Sequence, residues 1–127
     1  MIVRRHDPAG VAPSIGGYTH GLDLPAGARL IFVSGQIPVA PDGSVPADFA
    51  SQCNAVWDNI GAVLASADMK IDNLVKITTY LTDRSQADVN GRIRRERLGD
   101  HRPALTVVVV QTLESQWLLE IEAVAAA

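Results

Sequence analysis

A single cysteine, Cys53, stands in the whole sequence, so no disulfide can form within the chain and no second thiol is available to pair on a metal. That usage fits a reducing compartment and predicts a cytoplasmic protein. Positive charge is also scarce: 11 Lys and Arg stand against 14 Asp and Glu, a formal net charge of -3, which argues against the concentrated basic face that neutralises nucleic-acid phosphates. Aromatic residues make up only 5% of the chain. Nowhere do about 18 apolar residues run together, which excludes a helical membrane span, and no apolar stretch follows Arg4, Arg5, His6 and Asp7 to make a signal peptide. The three histidines, His6, His20 and His101, lack zinc-ligand spacing with one another or with Cys53, so no metal site is expected. The glycines match neither the P-loop nor the dinucleotide-binding spacing.

What is present is a globular balance, 47% hydrophobic and 20% charged over 127 residues, which predicts one domain spanning 1–127. A domain of this size leaves much of its surface exposed. The apolar run from Ala104 to Val110 therefore predicts a neighbouring subunit to cover it.

Glycine and proline dominate the sequence before Leu30, confining it to short extended pieces: Tyr18 to Leu22 and Arg29 to Ser34 read as strands joined by the turn Pro25-Ala26-Gly27. An irregular loop covers Gly35 to Pro46. From Asp48, a good N-cap, the apolar residues Phe49, Cys53, Val56, Ile60, Val63, Leu64 and Ala67 recur at helical spacing. Cys53 falls on that apolar face, where an inert thiol is the expectation. Leu74 to Leu81 is rich in β-branched residues and reads as a strand, and a second helix runs from about Ser85 to Leu98, stopped by Gly99. Ala104 to Val110 and Leu118 to Ala125 close the order β-β-α-β-α-β-β. Paired strands at each end suit an α+β fold, a mixed sheet with both helices on one face. The basic run Arg92, Arg94, Arg95 and Arg97 wraps most of the second helix and reads as a solvated surface.

Several separated segments stand out jointly: Gly17-Tyr18-Thr19-His20-Gly21, Val33-Ser34-Gly35-Gln36-Ile37-Pro38, Gln52 with Asn59-Ile60, Val75 to Asp83, Asn90, Arg102-Pro103-Ala104-Leu105-Thr106, and Glu120 to Ala125. In order and spacing, from about Tyr18 to the last residues, they resemble the Rid (YjgF, or L-PSP) family. The resemblance implies a chorismate-mutase-like α+β fold, a homotrimer, and a small-molecule ligand site in each cleft between subunits. It further implies hydrolysis of enamine and imine intermediates, released by pyridoxal-phosphate enzymes, to 2-keto acids and ammonia, with no cofactor.

In the family, an arginine near the start of the penultimate strand grips the substrate carboxylate; here that position is Leu105. A guanidinium offers a rigid fork of donors matching a carboxylate, whereas leucine offers apolar surface alone. A charge-assisted hydrogen bond is worth roughly 1.5–3 kcal/mol, so losing a bidentate pair weakens carboxylate binding by about two to four orders of magnitude. Arg102 lies three residues back, roughly 10 Å along an extended segment, and fits a surface role better. The remaining source is an arginine of the Arg92–Arg97 helix from a neighbouring subunit.

By the same resemblance, Tyr18, Ser34, Gly35, Asn90, Leu105 and Thr106 border the ligand, and Glu120 orients the attacking water. Each also has a plain alternative: a strand aromatic, a turn, a helix hydrogen-bonder, a strand residue. Strand alternation sets Glu120 and Glu122 on one face with Leu119, Ile121 and Ala123 on the other, which singles out Glu120 as a candidate acid or base. The favoured expectation is a deaminase-like hydrolase whose substrate range is changed by Leu105. The alternatives are a non-catalytic trimer that binds metabolites or partner proteins, and RNA cleavage with translation inhibition, which the acidic charge disfavours.

Overall fold

Alternation along Leu119–Ala126 sets the layering of the molecule: Leu119, Ile121, Ala123 and Ala125 are buried, while Glu120 and Val124 are half-buried and Glu122 is exposed. One face of this strand meets a core and the other does not. The structure, a computed structural model, describes residues 1 and 3–127. Its described elements, in chain order, are β1 (Arg4–His6), β2 (Gly21–Asp23), β3 (Leu30–Gln36), α1 (Phe49–Ser66), β4 (Leu74–Leu81), α2 (Ala87–Leu98), β5 (Ala104–Val109) and β6 (Leu119–Ala126).

The main sheet has the order β3-β6-β4-β5, with β6 antiparallel to both β3 and β4, and β5 parallel to β4. It is a mixed sheet, as the paired terminal strands predicted. The expected strand at Tyr18 to Leu22 is displaced to Gly21–Asp23, which pairs with Arg4–His6 in a separate two-stranded ribbon. The sequence order therefore gains one short strand. Arg4–His6 carries no apolar alternation, because all three residues are exposed; its pairing is held at the end by Arg4, which donates to Asp23 Oδ2 at 2.6 Å.

Both helices lie on the face of the sheet that presents Ile77, Leu81, Leu119 and Ile121. Cys53, Val56, Trp57, Ile60 and Leu64 of α1 and Ile93 and Leu98 of α2 join these residues in one core. Fully burying side chains of this size contributes roughly 1.5–3 kcal/mol each. Asp48 caps α1 by accepting from Ser51 N at 2.9 Å, as the sequence predicted. The Cys53 thiol is enclosed, and burial pushes its pKa up to about 11, so it is protonated and unreactive at neutral pH. Among the described residues no helix is long and apolar enough to cross a membrane.

Two amides on α1 fix the loops that flank β3 and β6. Asn59 Nδ2 donates to the carbonyls of Ile37 at 3.0 Å and Val39 at 3.2 Å, tying down the chain just after β3. Gln52 donates to Pro46 O and Gln116 O, both at 2.8 Å, and accepts from Leu118 N at 2.8 Å. With Gln52 only 1% exposed, these bonds satisfy an otherwise costly buried amide and set the register in which β6 begins.

Hydrogen bonds hold four carboxylates, those of Asp23, Asp42, Asp48 and Asp83, below their ordinary pKa; the leading donors are Arg4, Ser44, Ser51 and Ser85 respectively. A depressed folded-state pKa contributes stability that is complete above the unfolded carboxylate range near pH 4 and is lost as pH falls through the lower folded values. Thermal melts are therefore expected to be insensitive to these groups between pH 5 and 7 and to drop below about pH 4. Alanine at Asp48 and Asp83 together should flatten that acid-side drop.

Candidate functional site

Strand β5 forms one edge of the sheet, and its alternation divides the residues expected to border a ligand. Leu105 pairs in register with Ile77 and Val107 with Thr79, so both point to the helix side; Thr106 pairs with Thr78 and Val108 with Tyr80, on the open side. Leu105 and Thr106 thus face opposite ways and cannot line one surface.

On the helix side a groove of about 630 Å³ runs between β5, α2 and the segment before β2. Tyr18, Asn90 and Leu105 line it together. Tyr18 is placed there because the next residue, Thr19, is buried and donates its backbone N–H to Pro103 O at 3.2 Å, forming a bridge beside Ala104. The Tyr18 ring meets His20 edge-on at a centroid distance of 5.4 Å. Asn90 is 2% exposed on the inner face of α2, beside the Cys53 thiol.

The groove also contains a cation the sequence reading did not place. Arg94, expected on a solvated face, is 6% exposed and lines the groove with Arg95 and Asp88. Its Nη2 donates to Gly16 O at 2.8 Å. The signal lay in helical spacing: Arg94 is one turn beyond Asn90 and one before Leu98, both buried, so it shares their face. Arg92 and Arg95 do stay exposed, and Arg97 reaches back to Asp58 at 2.9 Å and Asn54 at 3.0 Å. Arg102 is spent on the backbone, donating to Gly99 O and His101 O, as its spacing from Leu105 suggested.

The open side carries the acids. Glu120 and Glu122 share that face, across from Tyr80 and Thr78 of β4. Tyr80 donates its hydroxyl to Glu122, and this bond, with both acids close by, pushes the phenol above its ordinary pKa. Glu120 lies over Gly35 so closely that a Cβ built on Gly35 falls 1.8 Å from Glu120 Oε2. Only glycine leaves room for the carboxylate, and the loop pinned by Asn59 keeps Gly35 there. Gly35, Tyr80, Glu120 and Glu122 border a hollow of about 360 Å³ with residues 110–113. Ser34 lines a neighbouring hollow with Lys76, Thr78 and Glu122, and Thr106 joins this side by accepting from Lys76 Nζ at 2.7 Å.

Within one chain, then, the expected residues form two groups on opposite sides of the sheet: Tyr18, Asn90 and Leu105 with the groove, and Ser34, Gly35, Thr106 and Glu120 with the open face. Two of the histidines are engaged by backbone carbonyls, His20 with Ala12 O at 2.8 Å and His101 with Leu74 O at 2.6 Å.

Comparison with known proteins agrees with this architecture. The family model described as endoribonuclease L-PSP matches residues 9–127. The 2-iminobutanoate/2-iminopropanoate deaminase of Escherichia coli K12 is 35% identical over 116 residues, covering 88% of each chain. Among solved structures, YyfB from Yersinia pestis, a protein of the conserved Rid family, superposes with a TM-score of 0.86 at 27% identity over all of both chains. E. coli TdcF, solved with bound serine, superposes with a TM-score of 0.74 at 28% identity over 98% of each. Sequence match and fold together establish that this chain belongs to the Rid family, the family of the L-PSP and reactive-intermediate deaminase proteins.

Proposed function

We propose that this protein is a cofactor-free, deaminase-like hydrolase acting on a small imine or enamine in clefts between the subunits of a homotrimer. Each cleft joins the groove side of one subunit, with Tyr18, Asn90 and Leu105, to the open face of the next, with Ser34, Gly35, Thr106 and Glu120. The deaminase name carried by the E. coli relative and the serine bound to TdcF support a small-metabolite ligand. Assembly is supported by the edge position of β5, whose Val107, Val108 and Val109 are each more than a third exposed, and by Phe32, 74% exposed on the open face.

The observation that carries the reading is the seat of Glu120 on Gly35. A carboxylate lying against backbone at the rim of a cleft can hold a water molecule in line with a bound electrophilic carbon. Tautomerisation turns an enamine into the imine; water then adds to the imine carbon, Glu120 takes a proton from the water, and that proton passes to nitrogen, giving a carbinolamine. Glu120 next takes the carbinolamine hydroxyl proton and delivers it to the amine, the C–N bond breaks, ammonia leaves, and the C–O bond becomes a carbonyl. Leu105 changes the substrate range by placing a branched apolar side chain where other members present a guanidinium.

The test is ammonia and keto-acid release from freshly generated 2-aminoacrylate, followed for the native protein and for Leu105→Arg. Native protein should accelerate hydrolysis above buffer, and Leu105→Arg should shift preference toward this short substrate relative to imines with longer aliphatic chains. A native protein that leaves every imine at its buffer rate while still binding the keto acids would make the cleft a binding site without turnover.

A further inference from the structure

We infer that Arg94 supplies, from helix α2, the anion-binding cation that β5 lacks at Leu105, so that the groove takes a small monocarboxylate with an aliphatic substituent. This deepens the proposed function and rests on it for turnover alone, since carboxylate binding is measured separately.

Arg94 is nine-tenths buried, and among the described residues it makes no ion pair; the pairs that do form use Arg4, His6, Arg92 and Arg97. Burying a guanidinium away from any carboxylate is unfavourable, and the bond from Nη2 to Gly16 O engages one of its five N–H groups. That bond also orients the planar group within the groove wall. The surroundings leave it room: a Cβ on Gly16 would lie 3.3 Å from Arg94 Nη2, and one on Gly91 would lie 3.0 Å from Arg95 Nη1 and 3.9 Å from Arg94 Nη2. Glycine at position 16 keeps space beside the guanidinium open, while the distance from Gly91 to Arg94 is ordinary contact.

The charged groups facing this groove are Arg94, Arg95 and the exposed Asp88, two cations against one carboxylate, so the local field favours an anion. Burial and the neighbouring Arg95 both disfavour the charged form of Arg94, and the opposite charge of an arriving carboxylate offsets that cost. Arginine stays charged throughout. Leu105, Val107 and the exposed Ile15 form the apolar remainder of the lining, a seat for an aliphatic chain rather than a second charge. The cation thus comes from the helix wall of the groove and the hydrocarbon contact from the strand wall.

Calorimetric binding of 2-oxobutanoate and of its neutral amide, 2-oxobutanamide, to the native protein, R94Q and R94K tests the assignment. The native protein should prefer the acid to the amide by about tenfold or more. R94Q, which keeps a donor for Gly16 O, should weaken acid binding by about 10- to 100-fold, the loss of a charge-assisted hydrogen bond, and leave the amide unchanged. Equal acid binding by R94Q and native protein, no native preference for the acid, or no native binding of the acid overturns the inference. Should R94Q fail to fold, R94K carries the test: a point charge without the fork should lower the acid-to-amide ratio, and an unchanged ratio counts against the assignment. Arg94-dependent acid binding with no ammonia release refutes the hydrolase reading and leaves this inference standing. Ammonia release with an unchanged KM in R94Q does the reverse.

Discussion

Gly35→Ala is expected to reduce imine hydrolysis by at least about 10²-fold, as much as removing the carboxylate with Glu120→Gln. The new Cβ would lie 1.8 Å from Glu120 Oε2 and 2.8 Å from its Cδ, so the carboxylate must leave its seat. A displacement on the scale of 1 Å in a group that positions a reactant costs about 10² in rate. Glu120 belongs to β6, the strand paired on both sides, and its backbone cannot shift to compensate. Combining Gly35→Ala with Glu120→Gln should add little beyond either alone, because both remove one arrangement. The measurement is the rate of ammonia release with circular dichroism as a control for folding. Full activity in Gly35→Ala would show that Glu120 has no fixed role, and the hydrolase reading would lose its main support.

Trp57→Ala should destabilise the protein by roughly 3–5 kcal/mol, a large part of the 5–15 kcal/mol typical of a domain, and lower the melting temperature by about 10 °C or more. Trp57 is 1% exposed in the middle of α1 and is the largest of the fully buried side chains. Its indole Nε1 is buried with no hydrogen-bond partner among the described residues. An unsatisfied donor costs free energy, so Trp57→Phe removes that penalty while vacating only part of the volume. Phenylalanine should therefore cost much less than alanine. A Trp57→Phe protein as unstable as Trp57→Ala would mean that the nitrogen has a partner, such as a buried water, in solution. Chemical denaturation of the three proteins separates these outcomes.

The helices and the four strands of the main sheet were legible from their residue patterns, most clearly the three- and four-residue spacing from Phe49 to Leu64 and the alternation from Leu119 to Ala123. Arg4–His6 was not, since a three-residue ribbon strand with every side chain exposed carries no periodic signal. The site divided in the same way. The residues that match the family could be named from sequence, but not their sides of the sheet, and Leu105 and Thr106 are neighbours in sequence that face opposite ways. Arg94 was hidden by its company, because three exposed arginine or glutamate neighbours made the whole run read as solvated. Position along α2 relative to Asn90 and Leu98 was the better guide than charge.

The order β3-β6-β4-β5 also constrains how the polypeptide emerges from the ribosome. β6 lies between β3 and β4, about 90 residues after the first of them, so β3 and one edge of β4 wait unpaired until translation reaches residue 119. Pairings so remote in sequence slow folding and leave sticky edges exposed in the meantime. Chaperone dependence during expression should accordingly fall on the nascent stage, and a shortened chain ending before Leu119 should aggregate instead of forming a smaller sheet.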